Sequence, residues 1–304
     1  MSAIRTYFKF LGPSYWALWF GLGILRLSAF LPYPVMQKFS RGLGQLVYKV
    51  LPKRRRIAET NIRLCLPQLN EDEIQQLVRG AFDSAAMSFF ETALAWWGSD
   101  RRLEKMVRFE GTENIEEAKS LGKGIIMLGG HYTTLEISGR LLTYYMKDFH
   151  PVYMAAKNKL YNTVMINSRE RSISTLLENR DMRKIIATLK EGKAIWYAPD
   201  QDFGRDASVF APFMGVQTAT IIATARLAKL SGAAVVPFYS ERLEKGQYLI
   251  RFGKMFDNFP SGDDVADATK INQAIEEQVK RTPEQYLWLH RRFKTRPDGE
   301  PGIY

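Results

Sequence analysis

His131 and Glu136, in the run GIIMLGGHYTTLEISGR, set a base and a carboxylate where an apolar strand runs out into a helix. Those two residue types suit acyl transfer to a hydroxyl: an imidazole accepts the hydroxyl proton, and a carboxylate fixes the tautomer and stabilises the cation that forms. Their spacing limits how they can meet. On a continuous helix residue i faces i+3 or i+4, and i+5 has turned roughly 140° away. The pair meets only if His131 lies in the turn before the helix with its ring folded back, and Gly129 and Gly130 supply the backbone freedom for such a turn. A helix N-terminus carries partial positive charge, which disfavours imidazolium and leaves the ring ready to accept a proton. A capping histidine and a surface glutamate that never touch would show the same spacing, so the motif draws its weight from the elements around it.

From Val107 onward short apolar runs alternate with helical stretches: VRFEG, IEEAKSLG, GIIML, the helix after His131, PVYMAA, a helix over Asp181 to Glu191, AIWYAP, a helix over Ala219 to Leu230, AAVVPFYS and YLIRFG. That rhythm predicts an α/β fold with a largely parallel central sheet flanked by helices. Ligands in such sheets lie beyond the carboxyl ends of the strands. His131 follows one strand end and Asp200 another, which puts both on the same rim. Before this core, residues 34–105 read as a helical region packed on it, with Asn70 as a cap and an acidic first turn behind it. The C-terminal RTPEQYLWLHRRFKTRPDGEPGIY reads as a short helix and a basic tail.

The segment SYWALWFGLGILRLSAFLPYP is apolar apart from Arg26 and a few small polar residues, and it is rich in aromatics. It predicts an N-terminal membrane-anchoring helix over residues 1–33, either spanning or interfacial. Arg5 and Lys9 precede it, and the larger excess that follows (Arg26, Lys38, Arg41, Lys49 and Lys53 to Arg56) favours a cytoplasmic catalytic body, residues 34–304. The 304 residues carry a formal charge of +11, which favours an anionic partner. Without a zinc-ligand array, an aromatic RNA-binding motif or a Walker loop, nucleic acid is the weakest of those partners. The lone Cys65 excludes an internal disulfide and reads as a small buried hydrophobe. No histidine pair has metal-ligand spacing.

Several segments together resemble the late acyltransferases of lipid A biosynthesis, the lauroyl and myristoyl transferases of the glycerolipid acyltransferase superfamily. GKGIIMLGGHYTTLEISGR looks like their first motif, AIWYAPDQDFG and SVFAPFMG are similar to the next, TPEQYLWLHRRFKTRPDG resembles their C-terminal signature, and RRRIAETNIRLCLP looks like their basic N-terminal segment. The order is the family's and covers nearly the whole chain. One stretch departs: Met154-Ala155 and Asn158-Lys159 stand where the family commonly has Arg-Pro and Asn-Pro.

The resemblance implies an acyl carrier protein thioester as donor, a hydroxyl of an anionic lipid A precursor as acceptor, no cofactor, and a place at the bacterial inner membrane. His131 and Glu136 take the catalytic positions, with backbone N–H groups near Gly129-Gly130 as candidate oxyanion donors. Arg169 and Arg171 align with a basic pair, and a guanidinium at Arg169 matches an acceptor phosphate, where a solvated helix arginine is the plainer reading. Asp200 holds a sugar or a site arginine, or caps a turn, and Asp202 follows it with a weaker signal. Arg291, Arg292, Lys294 and Arg296 meet the carrier protein or phosphates, or form a solvated tail. Two rival readings remain on the sequence: a CoA-dependent glycerolipid or glycolipid acyltransferase, against which the absence of an F-P-E-G-T-R-like motif counts, and a non-enzymatic basic membrane scaffold.

Overall fold

The computed structural model of the chain describes residues 7–304. Among the described residues four long helices come first: α1 (Trp16–Ser28), α2 (Tyr33–Val50), α3 (Pro52–Cys65) and α4 (Glu71–Trp97), followed by a single helical turn at Asp100–Leu103. Then follow β1 (Val107–Glu110), α5 (Thr112–Ser120), β2 (Ile125–Leu128), α6 (Leu135–Leu142), β3 (Phe149–Tyr153), α7 (Lys159–Arg169), β4 (Leu177–Glu178), α8 (Met182–Lys190) and β5 (Ala194–Tyr197). The chain continues through β6 (Ser208–Phe213), β7 (Val216–Ile221), α9 (Ala223–Ser231), β8 (Ala234–Arg242), β9 (Tyr248–Phe252) and α10 (Asp264–Arg281).

Seven strands make one sheet in the order β1-β9-β8-β2-β5-β3-β4, and each neighbouring pair is parallel except β8 with β9. The expected α/β fold with a largely parallel sheet is therefore present. Why β2 is apolar throughout follows from the layers. Its side chains alternate between faces, Ile125 and Met127 into a core shared with α1, α4 and α6, Ile126 and Leu128 into one shared with α3, α8, α9 and α10. Both faces are covered, so all four are buried.

The helical region packs on that sheet through α4, whose Met87, Phe90 and Leu94 lie in the same core as Ile125 and Met127. Asn70 caps α4 as expected, its side chain accepting the Glu73 N–H while the Glu73 carboxylate accepts the Asn70 N–H.

Three expectations differ. First, α1 has 13 residues, roughly 20 Å at the helical rise against a hydrocarbon core of about 30 Å, and no helix among the described residues is long and apolar enough to cross a membrane. A spanning anchor is thus not supported; α1 instead buries Leu22 and Leu25 against the body and turns Trp16, Phe20, Ile24 and Leu27 outward. Arg5, one of the basic residues ahead of the apolar run, lies outside the described residues, as does the rest of 1–6. Second, the helix expected over 219–230 starts only at Ala223, because Val216–Ile221 pairs antiparallel with Ser208–Phe213 in a hairpin. Its two-residue turn, Met214 and Gly215, has positive φ at both positions (49° and 79°), the geometry that matches strand twist but is unusual for a methionine. Third, the C-terminal helix is only a 3-10 turn at Pro283–Gln285, and the tail is not uniformly solvated: Arg292 and Phe293 are buried.

Candidate active site

Strand register places the site. Leu128 of β2 is the registered partner of Tyr197 of β5, and His131 and Asp200 stand equally far beyond them. Neighbouring parallel strands therefore deliver the two residues to the same height on the rim. Asp200 then takes two hydrogen bonds from His131: Oδ2 accepts the backbone N–H at 2.8 Å and Oδ1 meets ring Nδ1 at 2.5 Å. The Asp200 side chain is almost wholly buried. Burial opposes its ionisation, but the His131 charge, both His131 hydrogen bonds and the charge of Arg292 prevail and hold its pKa at about 2. A carboxylate has no proton to give, so Nδ1 is the donor, and in the neutral ring the free lone pair is on Nε2.

The turn that carries His131 is held from several sides. Gly129 N–H donates to Tyr197 O, Thr133 N–H to Gln285 O, and Leu287 N–H to His131 O; Tyr132 and Tyr286 form an antiparallel bridge. Behind it Thr133 Oγ1 lies 2.7 Å from Ser84 Oγ, which accepts from Arg242, itself paired with the fully buried Glu91. The two glycines are needed for closeness rather than for an unusual backbone. Neither has positive φ, while a Cβ on Gly129 would sit 2.7 Å from the Trp196 indole and one on Gly130 2.9 Å from the Tyr132 ring. Since Gly129 N–H is spent on Tyr197 and His131 N–H on Asp200, neither of these amides is free to hold an oxyanion.

His131 lies in the turn before α6, as the spacing requires, yet the expected bond from its ring to Glu136 is absent. Glu136, in the first turn of α6, is engaged elsewhere: Oε1 accepts from Trp96 Nε1 at 2.5 Å and Arg169 Nε at 2.9 Å, and Oε2 from Arg169 Nη2 at 2.5 Å. The pair is mostly buried. Burial works against the Glu136 carboxylate, but the Arg169 charge and the hydrogen bonds from Arg169 and Trp96 outweigh it and set its pKa below the usual value. His131, Glu136 and Arg169 all line one cavity of about 280 Å³, whose apolar wall includes Leu135, Phe149, Val152, Met165, Ile173 and Trp196.

The remaining sequence candidates divide. Arg169 faces the cavity but spends two of its nitrogens on Glu136, whereas Arg171 is exposed and does not line it. Asp202 is a structural clamp: it accepts the Gly204 N–H and both the N–H and hydroxyl of Thr295, tying the C-terminal segment to the loop after β5. Trp96 carried no sequence signal, being one of two adjacent tryptophans at the end of a long apolar helix.

His131, its ring bonded to Asp200, thus lines an apolar cavity beside the mostly buried Glu136–Arg169 pair. Residues 5–295 match the family model described as bacterial lipid A biosynthesis acyltransferase. Among curated proteins, the chain is 38% identical over 297 residues to the lipid A biosynthesis lauroyltransferase of Escherichia coli strain K12, covering 97% of this chain and 96% of that one. It is 37% identical over 298 residues to the palmitoleoyltransferase of the same strain, covering 97% of each, and 28% identical over 294 residues to its myristoyltransferase, covering 96% and 91%.

Proposed function

Because this chain belongs to the bacterial lipid A biosynthesis acyltransferase family, we propose that its cavity takes a fatty acyl chain from an acyl carrier protein thioester and that His131 passes it to a hydroxyl of a lipid A precursor. The enzyme is an O-acyltransferase of the secondary acylation of lipid A. The observation that carries the mechanism is the Asp200 clamp on His131, which engages Nδ1 and leaves Nε2, on a ring that lines the cavity, as the nitrogen that can accept a proton when the ring is neutral.

Nε2 takes the acceptor hydroxyl proton as the oxygen attacks the thioester carbonyl, and Asp200 stabilises the imidazolium. The tetrahedral intermediate collapses, the C–S bond breaks, and the departing thiolate takes the proton back. No acyl-enzyme is needed. Asp200 thus fills the orienting role that the sequence suggested for Glu136. Glu136 and Arg169 together form a rigid charged wall; among the described residues Nη1 of Arg169 makes no hydrogen bond, which leaves it for an anionic group of the acceptor. The apolar wall of the cavity suits an acyl chain.

Lipid substrates also need a surface to be drawn from. Trp16, Phe20, Ile24 and Leu27 form one outward stripe on α1, continued by Phe30 and by Val35, Phe39, Leu46 and Val50 on α2, with Lys38, Lys49 and Lys53 exposed among them. An apolar stripe fringed with lysines suits in-plane attachment to an anionic bilayer, with α1 lying in the headgroup layer rather than crossing it.

The test is direct: purified full-length protein, a lipid A precursor in mixed micelles, and matched acyl carrier protein and CoA thioesters, with products weighed by mass spectrometry. Transfer from the carrier thioester, lost in His131→Ala, is expected. Equal use of CoA would replace the donor, and near-normal turnover in the variant would remove the base. Since the lauroyl- and palmitoleoyltransferases are about equally similar to this chain, the product mass is also what names the acyl group.

A further inference from the structure

Two threonines, Thr133 and Thr134, stand between the His131 turn and α6, and threonine is a residue type that often closes a helix start with its own hydroxyl. Neither does so here. Thr134, at the cap position, makes no capping bond, and its Oγ1 lies 2.8 Å from Ser240 Oγ of β8 instead. Thr133 Oγ1 lies 2.7 Å from Ser84 Oγ of α4, while its N–H donates to Gln285 O. The turn is fastened to its neighbours rather than to its own helix, forgoing a cap that typically contributes about 1 kcal/mol.

These fastenings converge on Arg242, the last residue of β8. Its Nη1 donates to Ser84 Oγ at 2.9 Å, and Nη2 also reaches Thr133 Oγ1 at 3.4 Å. Its backbone N–H donates to Gln285 Oε1 at 2.8 Å, and its carbonyl accepts from Gln285 Nε2 at 2.9 Å. The two oxygens of Glu91 accept from Arg242 Nε and Nη2 at 2.6 and 2.7 Å. Glu91 is 0% exposed and takes a third bond, at 2.6 Å, from Tyr248 Oη. Taking a carboxylate and a guanidinium out of water together costs so much solvation that apolar residues of the same volume are often as stabilising. What the ion pair adds is direction: a planar guanidinium fixed on one edge by Glu91 presents Nη1 at one place, where Ser84 receives it.

We propose that Arg242 is a positioning residue of the transfer reaction: locked by Glu91, it holds the His131 turn through Ser84 and Thr133, so that the ring stays seated on Asp200. The inference rests on His131 acting as base. Arg242 does not line the cavity, and its effect runs through Thr133.

The experiment measures kcat and KM of the full-length enzyme, Thr133→Val, Thr133→Ser and the neutral double variant Glu91→Gln, Arg242→Met, with folding checked by circular dichroism. Thr133→Val keeps the side-chain shape and removes the hydroxyl; Ser84→Ala removes the same bond from the other side and covers the case in which Thr133→Val or the double variant does not fold. The ring itself is followed by NMR on protein carrying isotope-labelled histidine. The chain has three histidines, and the downfield Nδ1 proton of His131 is the one missing from His131→Ala. The expected result in Thr133→Val and the double variant is a kcat lower by about tenfold or more at unchanged KM, because a misplacement of about 1 Å costs up to about a hundredfold in rate. The His131 resonance should move or broaden in the same variants. Thr133→Ser, which retains the hydroxyl, should keep both rate and resonance. A folded Thr133→Val or double variant with the kcat or the His131 resonance of the wild type overturns the proposal and leaves Arg242 a packing residue, as does a Thr133→Ser as slow as Thr133→Val. His131→Ala separates this from the underlying reading: activity retained there defeats the base assignment itself, whereas its loss together with an unmoved resonance in the other variants defeats only the proposal.

Discussion

One carboxylate, Asp200, holds both the backbone N–H and the ring Nδ1 of His131. The turn that carries His131 and the imidazole ring itself are fixed by the same side chain. Replacing it by asparagine keeps the shape and removes the charge. Asp200→Asn is therefore expected to lower kcat by about 10⁴-fold through the wrong tautomer, with circular dichroism unchanged, by the logic of triads in which the orienting aspartate is lost. A loss of less than tenfold would show that the ring is oriented by something else.

Glu136 and Arg169 make the complementary prediction about stability. Deleting one partner of a mostly buried ion pair strands the other, at a cost of about 3–5 kcal/mol. Glu136→Ala should accordingly unfold at markedly lower urea than the wild type, and the double variant Glu136→Gln, Arg169→Met should regain much of that loss. If the single variant is as stable as the wild type, the pair contributes no net stability.

Gly129 offers a steric test. A methyl group there meets the Trp196 indole at 2.7 Å, closer than a real side chain tolerates, so Gly129→Ala should cost about 1–3 kcal/mol and displace the His131 turn. Trimming the indole in Gly129→Ala, Trp196→Leu should restore stability ahead of activity. Equal melting temperatures for Gly129→Ala and the wild type would contradict the close approach.

How much of this was legible in the sequence depended on range. Strands β2, β5 and β8 show as short apolar runs because each is buried on both faces, and the placement of His131 in the turn before α6 follows from helical geometry alone. The β6–β7 hairpin was hidden because its turn places a methionine at positive φ, where Asn or Gly is the usual signal. The shared rim of His131 and Asp200 could be read from their places after two strands of a parallel sheet, but not their contact, which depends on the Leu128–Tyr197 register. Glu136 is the informative miss: its proximity in sequence to His131 suggested a partner, while its actual partners come from α4 and α7. Arg292 sits in a basic run that reads as solvated, and only the tertiary fold shows that it turns inward while Arg291 and Lys294 remain outside.

Acid pH gives a further expectation. The folded pKa of Asp200, about 2, lies below its ordinary 3.8, and that of Glu136 is also lowered. A depressed carboxylate stabilises the fold above its unfolded pKa and loses that contribution as pH falls through the folded one. Stability should therefore decline between about pH 4 and pH 2, with Asp200 accounting for about 2 kcal/mol of it. Urea titrations at stepped pH check this; in Asp200→Asn the decline should be shallower, and an identical slope would remove Asp200 as its source.

The outward stripe on α1 makes a prediction about binding. Phe20→Glu with Leu27→Glu should weaken sedimentation with anionic vesicles by about tenfold or more, since a buried large apolar side chain contributes roughly 1.5–3 kcal/mol, while leaving turnover of detergent-dispersed substrate near normal. Unchanged sedimentation would place the membrane contact elsewhere.

The contacts of Gln285, Tyr286 and Leu287 with Thr133, Tyr132 and His131 have a consequence for the order of assembly. The histidine turn leaves the ribosome long before the segment that closes on it. A nascent chain that has folded its first strands still lacks the partners of Thr133 N–H and of His131 O, which arrive only when residues 285–287 have emerged.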